Sequence, residues 1–402
     1  MKRFVHFALV ATATVGCDAP AGSVGGDAVV RDSAGIQVVE HPADPGLVAP
    51  PLTLSDPLFA HGSRPGDHLF DRIVDGAILP DGSIVIADIG SSEIVGIAPD
   101  GSAPVVLAGS GQGPGEVRFP IGVHALGGDS VLVEDDGNGK FLVLRGRDVA
   151  QVVSVAGDPQ LARGLRAHAM DGSGNLLMTT SSYMSDAGTG WIPGAMVRFD
   201  PADRAADTVA TFDMAFSRPR DGPQNPFAPF GHVSASSAGF VVGRSDRPEL
   251  LWRHPDGTPA RIVRWNPTRV FPDESDLERV EARLREDLPR VNPGMPASRL
   301  EEFIQEQIAQ LQVVPDEPLP LFVELMDHGD AGVWLRAYEP AGDFFGGGSG
   351  YRVVSPDGRS IRSLSFSTPT RVLDVAFGRL LGVFQDDLDV QHVVVYAFEG
   401  RP

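Results

Sequence analysis

The chain has 402 residues, 53 of them acidic and 33 basic, for a formal charge of −20. That balance excludes the basic face that nucleic acid needs, and an electrostatic hold on anionic lipid. Lysine occurs only at Lys2 and Lys140, which leaves almost no room for a P-loop or Schiff-base lysine, and 42% hydrophobic with 21% charged residues excludes wholesale disorder.

Lys2 and Arg3 form a short basic head, followed by an apolar stretch from Phe4 to Val15. The stretch is too short to cross a bilayer and has the length of a secretory signal core. It ends in Val15, Gly16 and Cys17, after Thr14. A small residue before a cysteine at this place resembles the bacterial lipoprotein box, with Thr14 where that box usually carries leucine. The resemblance implies lipid attachment at Cys17; an ordinary signal peptide is the alternative. Residues 1–17 are therefore expected to be a signal, and the Gly-rich residues 18–28 a flexible tether. Cys17 is the single cysteine, so disulfides, zinc-thiolate sites and cysteine nucleophiles are excluded from the folded part. No later run reaches eighteen consecutive apolar residues. The expected location is outside the cytoplasm, in the periplasm or at the cell surface, with membrane contact only through the lipid.

From residue 29 onward the informative signal is self-similarity. Residues 78–88 (ILPDGSIVIAD) and 125–135 (ALGGDSVLVED) align without a gap at an offset of 47. Residues 169–179 give a third copy, and 234–244, 325–336 and 375–384 give weaker ones. Each reads as a strand, a turn rich in Gly, Asp or Ser, and a second strand, the chemistry of a β-hairpin. A further turn and strand follow each hairpin. Six units of about four strands, spaced near 45 residues, predict an all-β fold, a six-bladed β-propeller over residues 29–402. A four-stranded sheet cannot bury both faces alone, whereas a closed ring packs each blade on two neighbours. The strand within residues 34–41 is expected to close the ring by joining the last blade.

Residues 272–313 break the pattern. Ser275 with Glu278 and Ser298 with Glu301 have capping-box spacing, each followed by aliphatic residues at helical intervals, with Pro289, Pro293 and Pro296 between. Two amphipathic helices are predicted between blades four and five. They either pack an apolar stripe on the propeller, or form a lid over one mouth of the channel or a partner surface. Residues 183–195 and 217–229 are expected to be loops that shape a mouth.

The Gly-rich run 109–115 is followed by a strand rather than a helix, so it lacks the N-terminal amides of a phosphate site. Gly346 to Gly350 reads as a flexible loop. No G-x-S-x-G, H-E-x-x-H or EF-hand pattern occurs. Residues 109–126 resemble the inter-blade loop of NHL-repeat six-bladed propellers, with Gly113, Pro114, Gly115, Phe119 and Pro120 in the matching places. The full chain also looks like secreted bacterial six-bladed propellers of unassigned function, and the blade resemblance covers residues 60–265 and 319–399. The first two blades match most closely.

Two positions before the last apolar residue of each inner strand stand Ala77, His124, His168, Val233, Glu324 and Asp374, with His232 one residue away. Inner strands surround one axial channel, so His124, His168, Glu324 and Asp374 are candidate ligand-binding residues. His124, His168 and His232 are candidate ligands of a zinc-like divalent metal, which would act as a Lewis acid or activate a water. The NHL-type resemblance implies the same, since some lyases of that class hold a channel metal with histidines from separate blades, though from a different place in the loop. The alternative is that these histidines are solvated or bonded to a neighbouring blade. Asp75 and Glu116 are expected to be turn and blade-packing residues, and Arg118 a contact for an anion at the mouth. Two functions follow: a monomeric scaffold binding a peptide, glycan or protein at the envelope, or a metal-assisted lyase or hydrolase. Fold alone cannot choose between them.

Overall fold

The structure is a computed structural model that describes residues 28–44, 49–62, 67–102, 104–155, 165–180, 190–217, 224–292, 294–314, 316–339, 349–388 and 390–399. Cys17, the signal, nearly all of the tether, residues 183–189 and 218–223 of the two expected mouth loops, and most of the Gly346–Gly350 loop lie outside them; residues 190–195 of the first expected loop are strand instead, part of Gly190–Asp200.

Three strands precede blade one in the chain: β1 (Val29–Ser33), β2 (Ile36–Glu40) and β3 (Phe59–His61). Blade one is β4 (Ile73–Ile78), β5 (Ile84–Asp88), β6 (Glu93–Ile97) and β7 (Val105–Ala108). Blade two is β8 (Pro120–Gly127), β9 (Ser130–Asp135), β10 (Lys140–Arg145) and β11 (Asp148–Ser154). Blade three is β12 (Leu165–Met170), β13 (Leu176–Thr180), β14 (Gly190–Asp200) and β15 (Ala205–Ser217). Blade four contains β16 (Gly231–Ser236), β17 (Gly239–Arg244), β18 (Glu249–Arg253) and β19 (Pro259–Arg264). After helices α1 (Glu274–Val291) and α2 (Ala297–Gln310), blade five is β20 (Phe322–Asp327), β21 (Val333–Ala337), β22 (Gly350–Val354) and β23 (Ile361–Ser365). Blade six joins β24 (Arg371–Ala376), β25 (Arg379–Gln385) and β26 (Gln391–Ala397) to β3. The predicted six-bladed propeller is the observed fold.

The expected closure is corrected. The strand within residues 34–41 does not join the last blade: β2 pairs in parallel with β19, with Val38 opposite Ile262 and Val39 opposite Val263, so blade four has six strands. Blade six takes Phe59–His61 instead, antiparallel to β26. Both outer edges offered unpaired backbone groups, and short aliphatic segments satisfy either equally, so local pattern could not choose.

Apolar side chains gather in the seams between blades. One cluster joins Ile84 and Ile86 of blade one to Leu381 and Val395 of blade six. Another joins Phe141 of blade two to Met178 and Phe199 of blade three. Trp334 and Tyr351 of blade five, both essentially inaccessible, pack against Val375 and Leu380 of blade six. Truncating a side chain such as Trp334 would cost about 3–5 kcal/mol, because the seam cannot collapse around the hole.

The helices lie in the chain between β19 and β20. The N-cap of α1 is Asp273 rather than Ser275: its carboxylate accepts from the backbone N–H of Ser275 and Asp276, and Asp276 bonds back to the N–H of Asp273. Pro289 falls inside α1 rather than between the helices, and α2 starts after Pro296 without a side-chain cap. Gln224 bridges to the end of α2 through the carbonyl of Gln310 and the N–H of Gln312.

Candidate functional site

A cavity of about 510 Å³ lies on the ring axis, because its walls come from the inner strands of all six blades: β4, β8, β12, β16, β20 and β24. It occupies the end of the channel where inner strands turn into second strands, near Ser237, Gly329 and Phe377. No residue of α1 or α2 lines it. The helices attach at the start of β20, the opposite end of that strand, so they do not cover this cavity.

The inner strands are not regular. Register shifts occur between Ile73 and Asp75, Pro120 and Gly122, Ala167 and Ala169, Phe322 and Glu324, and Val372 and Asp374. Such bulges insert one unpaired residue and reverse which face the following side chains occupy. Asp75 and Asp374 take equivalent places, each the first paired residue after its bulge. Each carboxylate accepts the N–H of the next residue, Gly76 at 2.9 Å and Val375 at 2.8 Å. Both line the cavity.

These acids also join blades. Asp75 Oδ2 accepts the Val123 N–H at 2.9 Å, tying blade one to blade two. Asp374 Oδ2 accepts the Ile78 N–H at 2.8 Å, tying blade six to blade one. Asp374 Oδ1 stands 3.0 Å from His328 Nδ1 of blade five. The Val375 N–H also reaches His328 Nδ1, at 3.3 Å. His328 lines the cavity, its side chain is 8% exposed, and Nε2 has no hydrogen-bond partner among the described residues. Ser234 Oγ accepts the Asp327 N–H at 2.9 Å, and Asp327 also faces the cavity. Burial raises the pKa of Asp75 and of Asp327 from the ordinary carboxylate value, so both are weaker acids than a free aspartate.

Of the residues expected from sequence, His124, His168 and Asp374 line the cavity; His232 and Glu324 do not. His168 is the bulge residue of β12, and its Nε2 lies 2.9 Å from Thr179 Oγ1. Burial pushes it down to about 3, helped by the charges of His124 and Arg166. The His232 ring packs on Phe322 at 5.2 Å, and burial pushes it down to about 4. Glu324 pairs with Arg336 at 2.9 Å. Among the described residues no three His, Cys, Asp or Glu side chains come together in a way that could hold a metal ion. The expected zinc-like set of His124, His168 and His232 is therefore not gathered.

Asp75 joins blades as expected, but it is also part of the cavity wall. Arg118 does not line the cavity. Glu116 behaves as a turn residue, accepting the Gly113 N–H at 2.7 Å within the Gly-rich run. His328 was not singled out, because it lies just before the 3-10 turn Gly329–Ala331 of the fifth hairpin, outside the strands; the available signal was a histidine beside the LMD strand end.

No protein-family model matches the chain, and no curated protein matches it in sequence. Among solved structures, a member of the DUF4221 family from Bacteroides vulgatus is similar with a TM-score of 0.52 at 9% identity, over 87% of this chain and 98% of its own. A Bacteroides fragilis protein described as exported gives 0.49 at 9% identity, over 90% and 99%. Virginiamycin B lyase from Staphylococcus aureus gives 0.38 at 9% identity, over 85% and 88%. At such identity the first likeness is one of fold, and fold does not carry activity.

Proposed function

We propose that the chain is an exported propeller whose axial cavity binds a small molecule, or the end of a peptide or glycan, at the cell envelope. The observation that carries this reading is the axial cavity of about 510 Å³, walled by the inner strands of all six blades and lined by His124, His168, Asp75, Asp327 and Asp374. A pocket of ligand size with a few convergent polar groups is where a small molecule binds most readily. Export rests on the basic head, the apolar stretch and the placement of Cys17. Among the described residues no helix is long and apolar enough to cross a membrane. Loss of fatty-acid incorporation in Cys17→Ser tests the anchor.

A small-fragment screen by ligand-observed NMR, run on the wild-type chain and on Ala376→Trp, tests the binding site. Ala376 lines the cavity at its rim. Binders displaced by the tryptophan support the reading; binders indifferent to it place recognition elsewhere and overturn it.

One observation favours the second reading, a lyase or hydrolase. Asp374 behind His328 is the arrangement in which a carboxylate orients an imidazole and stabilises its protonated form, so that Nε2 can act as a general base. This reading rests on the dyad rather than on a metal. Turnover abolished by His328→Gln, together with the elemental content of the purified chain, decides how far it extends.

A further inference from the structure

Phe377 sits where neither the turn nor the packing calls for a phenylalanine. With Gly378 it makes the two-residue turn from β24 to β25, between the paired Ala376 and Arg379. Both turn residues lie in the left-handed region, at φ 52° and 74°. Turns of that kind favour Asn-Gly or Asp-Gly, and a phenylalanine at positive φ carries backbone strain. The other described non-glycine residues at positive φ are Ala34, Ser92 and Arg204, and none of them lines the cavity. Packing does not compensate. Phe377 is 62% exposed and belongs to none of the apolar clusters in the seams. A Cβ added to its neighbour Gly378 would meet nothing within 4 Å, so the turn stands clear of the fold around it.

What the ring does face is the cavity, at the end where inner strands turn into second strands. Two methionines line that same end. Met326 is the next-to-last residue of β20 on the neighbouring blade five, and Met170 is the last of β12 on blade three, across the axis. Each packs part of its surface on a seam and turns the rest to the cavity. Phenyl rings and thioether sulfurs both make favourable contacts with an aromatic ring. The aspartates of the wall are already occupied. Asp75 and Asp374 accept backbone N–H groups within and between blades, and Asp327 accepts the Gly329 N–H at 3.1 Å and bonds to Ser236. The apolar rim is therefore the part of the wall left to recognise a ligand.

We infer that the cavity mouth takes its ligand by an aromatic ring, which stacks on Phe377 and enters between Met326 and Met170. This rests on the axial cavity being the binding site, and it names the group recognised there. Strain that the fold alone does not require is held at Phe377 for that contact.

The test uses two uncharged probes of similar shape, 2-naphthol and its saturated counterpart 2-decalol. They are titrated at pH 7 into the wild-type chain, Phe377→Asn and Phe377→Trp. A merely apolar pocket holds the more hydrophobic decalol at least as tightly as the naphthol. The wild-type chain is expected to hold naphthol about threefold tighter than decalol. Phe377→Asn should weaken naphthol about fivefold and abolish the preference, and Phe377→Trp should keep it. Asparagine is at ease at positive φ, so Phe377→Asn should hold or raise the urea midpoint. Equal binding of the two probes to the wild-type chain overturns the inference, as does naphthol affinity unchanged in Phe377→Asn. A lowered urea midpoint in Phe377→Asn assigns the ring to the fold and overturns it too. If neither probe binds while fragments displaced by Ala376→Trp are found, the inference falls and the cavity stands as the binding site. Failure of both probes and of the fragment screen overturns the cavity reading itself.

Discussion

Asp374 and His328 meet at 3.0 Å, Oδ1 to Nδ1, across the seam between blades six and five. The same carboxylate accepts the N–H of Ile78 in blade one, so a single side chain touches three consecutive blades of the ring. Site and closure thus share one residue.

Asp374→Ala should lower the unfolding free energy by about 1–3 kcal/mol, because it strips the acceptor from a buried backbone N–H and from the imidazole. Asp374→Asn keeps one acceptor oxygen and should cost less. Urea denaturation of the two variants measures the difference; equal losses would show that the bond to Ile78 contributes nothing.

Gly332 fixes the turn that presents His328. It sits at φ 83° and ψ −169°, where only glycine is at ease, and an added Cβ would run into the Val354 carbonyl oxygen. Its own carbonyl receives the His328 N–H at 3.0 Å. Gly332→Ala should cost about 1–3 kcal/mol and displace the His328 ring resonances in an NMR spectrum. An unchanged imidazole environment would show that the turn does not position the ring.

Glu134 makes the ring sensitive to pH near neutrality. Its carboxyl is 5% exposed and accepts the Ala167 N–H of blade three at 3.2 Å. Burial pushes it up to about 7, against the opposing pull of Arg166 and of that N–H. The folded form therefore holds a proton that the unfolded chain releases near 4.5. Stability is fully present below that value and is lost as pH rises through 7, by about 3 kcal/mol. Measured from pH 5 to 8, the denaturation midpoint of Glu134→Gln should climb relative to that of the wild-type chain as pH rises to 7; a constant difference would assign no pH dependence to Glu134.

His168 and His232 act in the other direction. Both are held neutral by burial, down to about 3 and about 4, while the unfolded chain takes up protons near 6.5. Their contribution is present above 6.5 and is lost on acidification, by about 1.4 kcal/mol per pH unit for each ring. Between 4.5 and 6.5 two histidines oppose one glutamate, so acid should win. In a Glu134→Gln background, the double variant His168→Gln with His232→Gln should flatten the acid limb; an unaltered slope would assign that limb to other groups.

The ring was legible because a propeller repeats its local chemistry: ILPDGSIVIAD and ALGGDSVLVED announce the same hairpin twice. The helices were legible from their spacing, though not their caps, because Asp273 offers the carboxylate that competes with Ser275. Which edge β2 would choose was not legible, since it pairs with a strand more than 200 residues away. The site was half legible. His124, His168 and Asp374 were found by counting along strands, but the count missed Asp75 because it began at Leu79, two residues past the position in β4 equivalent to Ala376 in β24. His328 escaped because an unpartnered nitrogen is a property of folded space. No spacing in the chain encodes it.

The described residues between Val29 and His61 lie along the outer edges of three blades. They add β1 and β2 to blade four, bond through His41 Nε2 to Gly358 O at 2.9 Å and through the Leu52 N–H to Ser363 O at 2.7 Å on blade five, and supply β3 to blade six. A propeller held by its leading end would therefore take tension first at the rim of blade four. The β1–β2 hairpin and the four paired residues of β2 and β19 would yield before any load reached β3, whose departure would open the ring. The strap works as a strain relief: a tug that frays the rim leaves the axial cavity in shape.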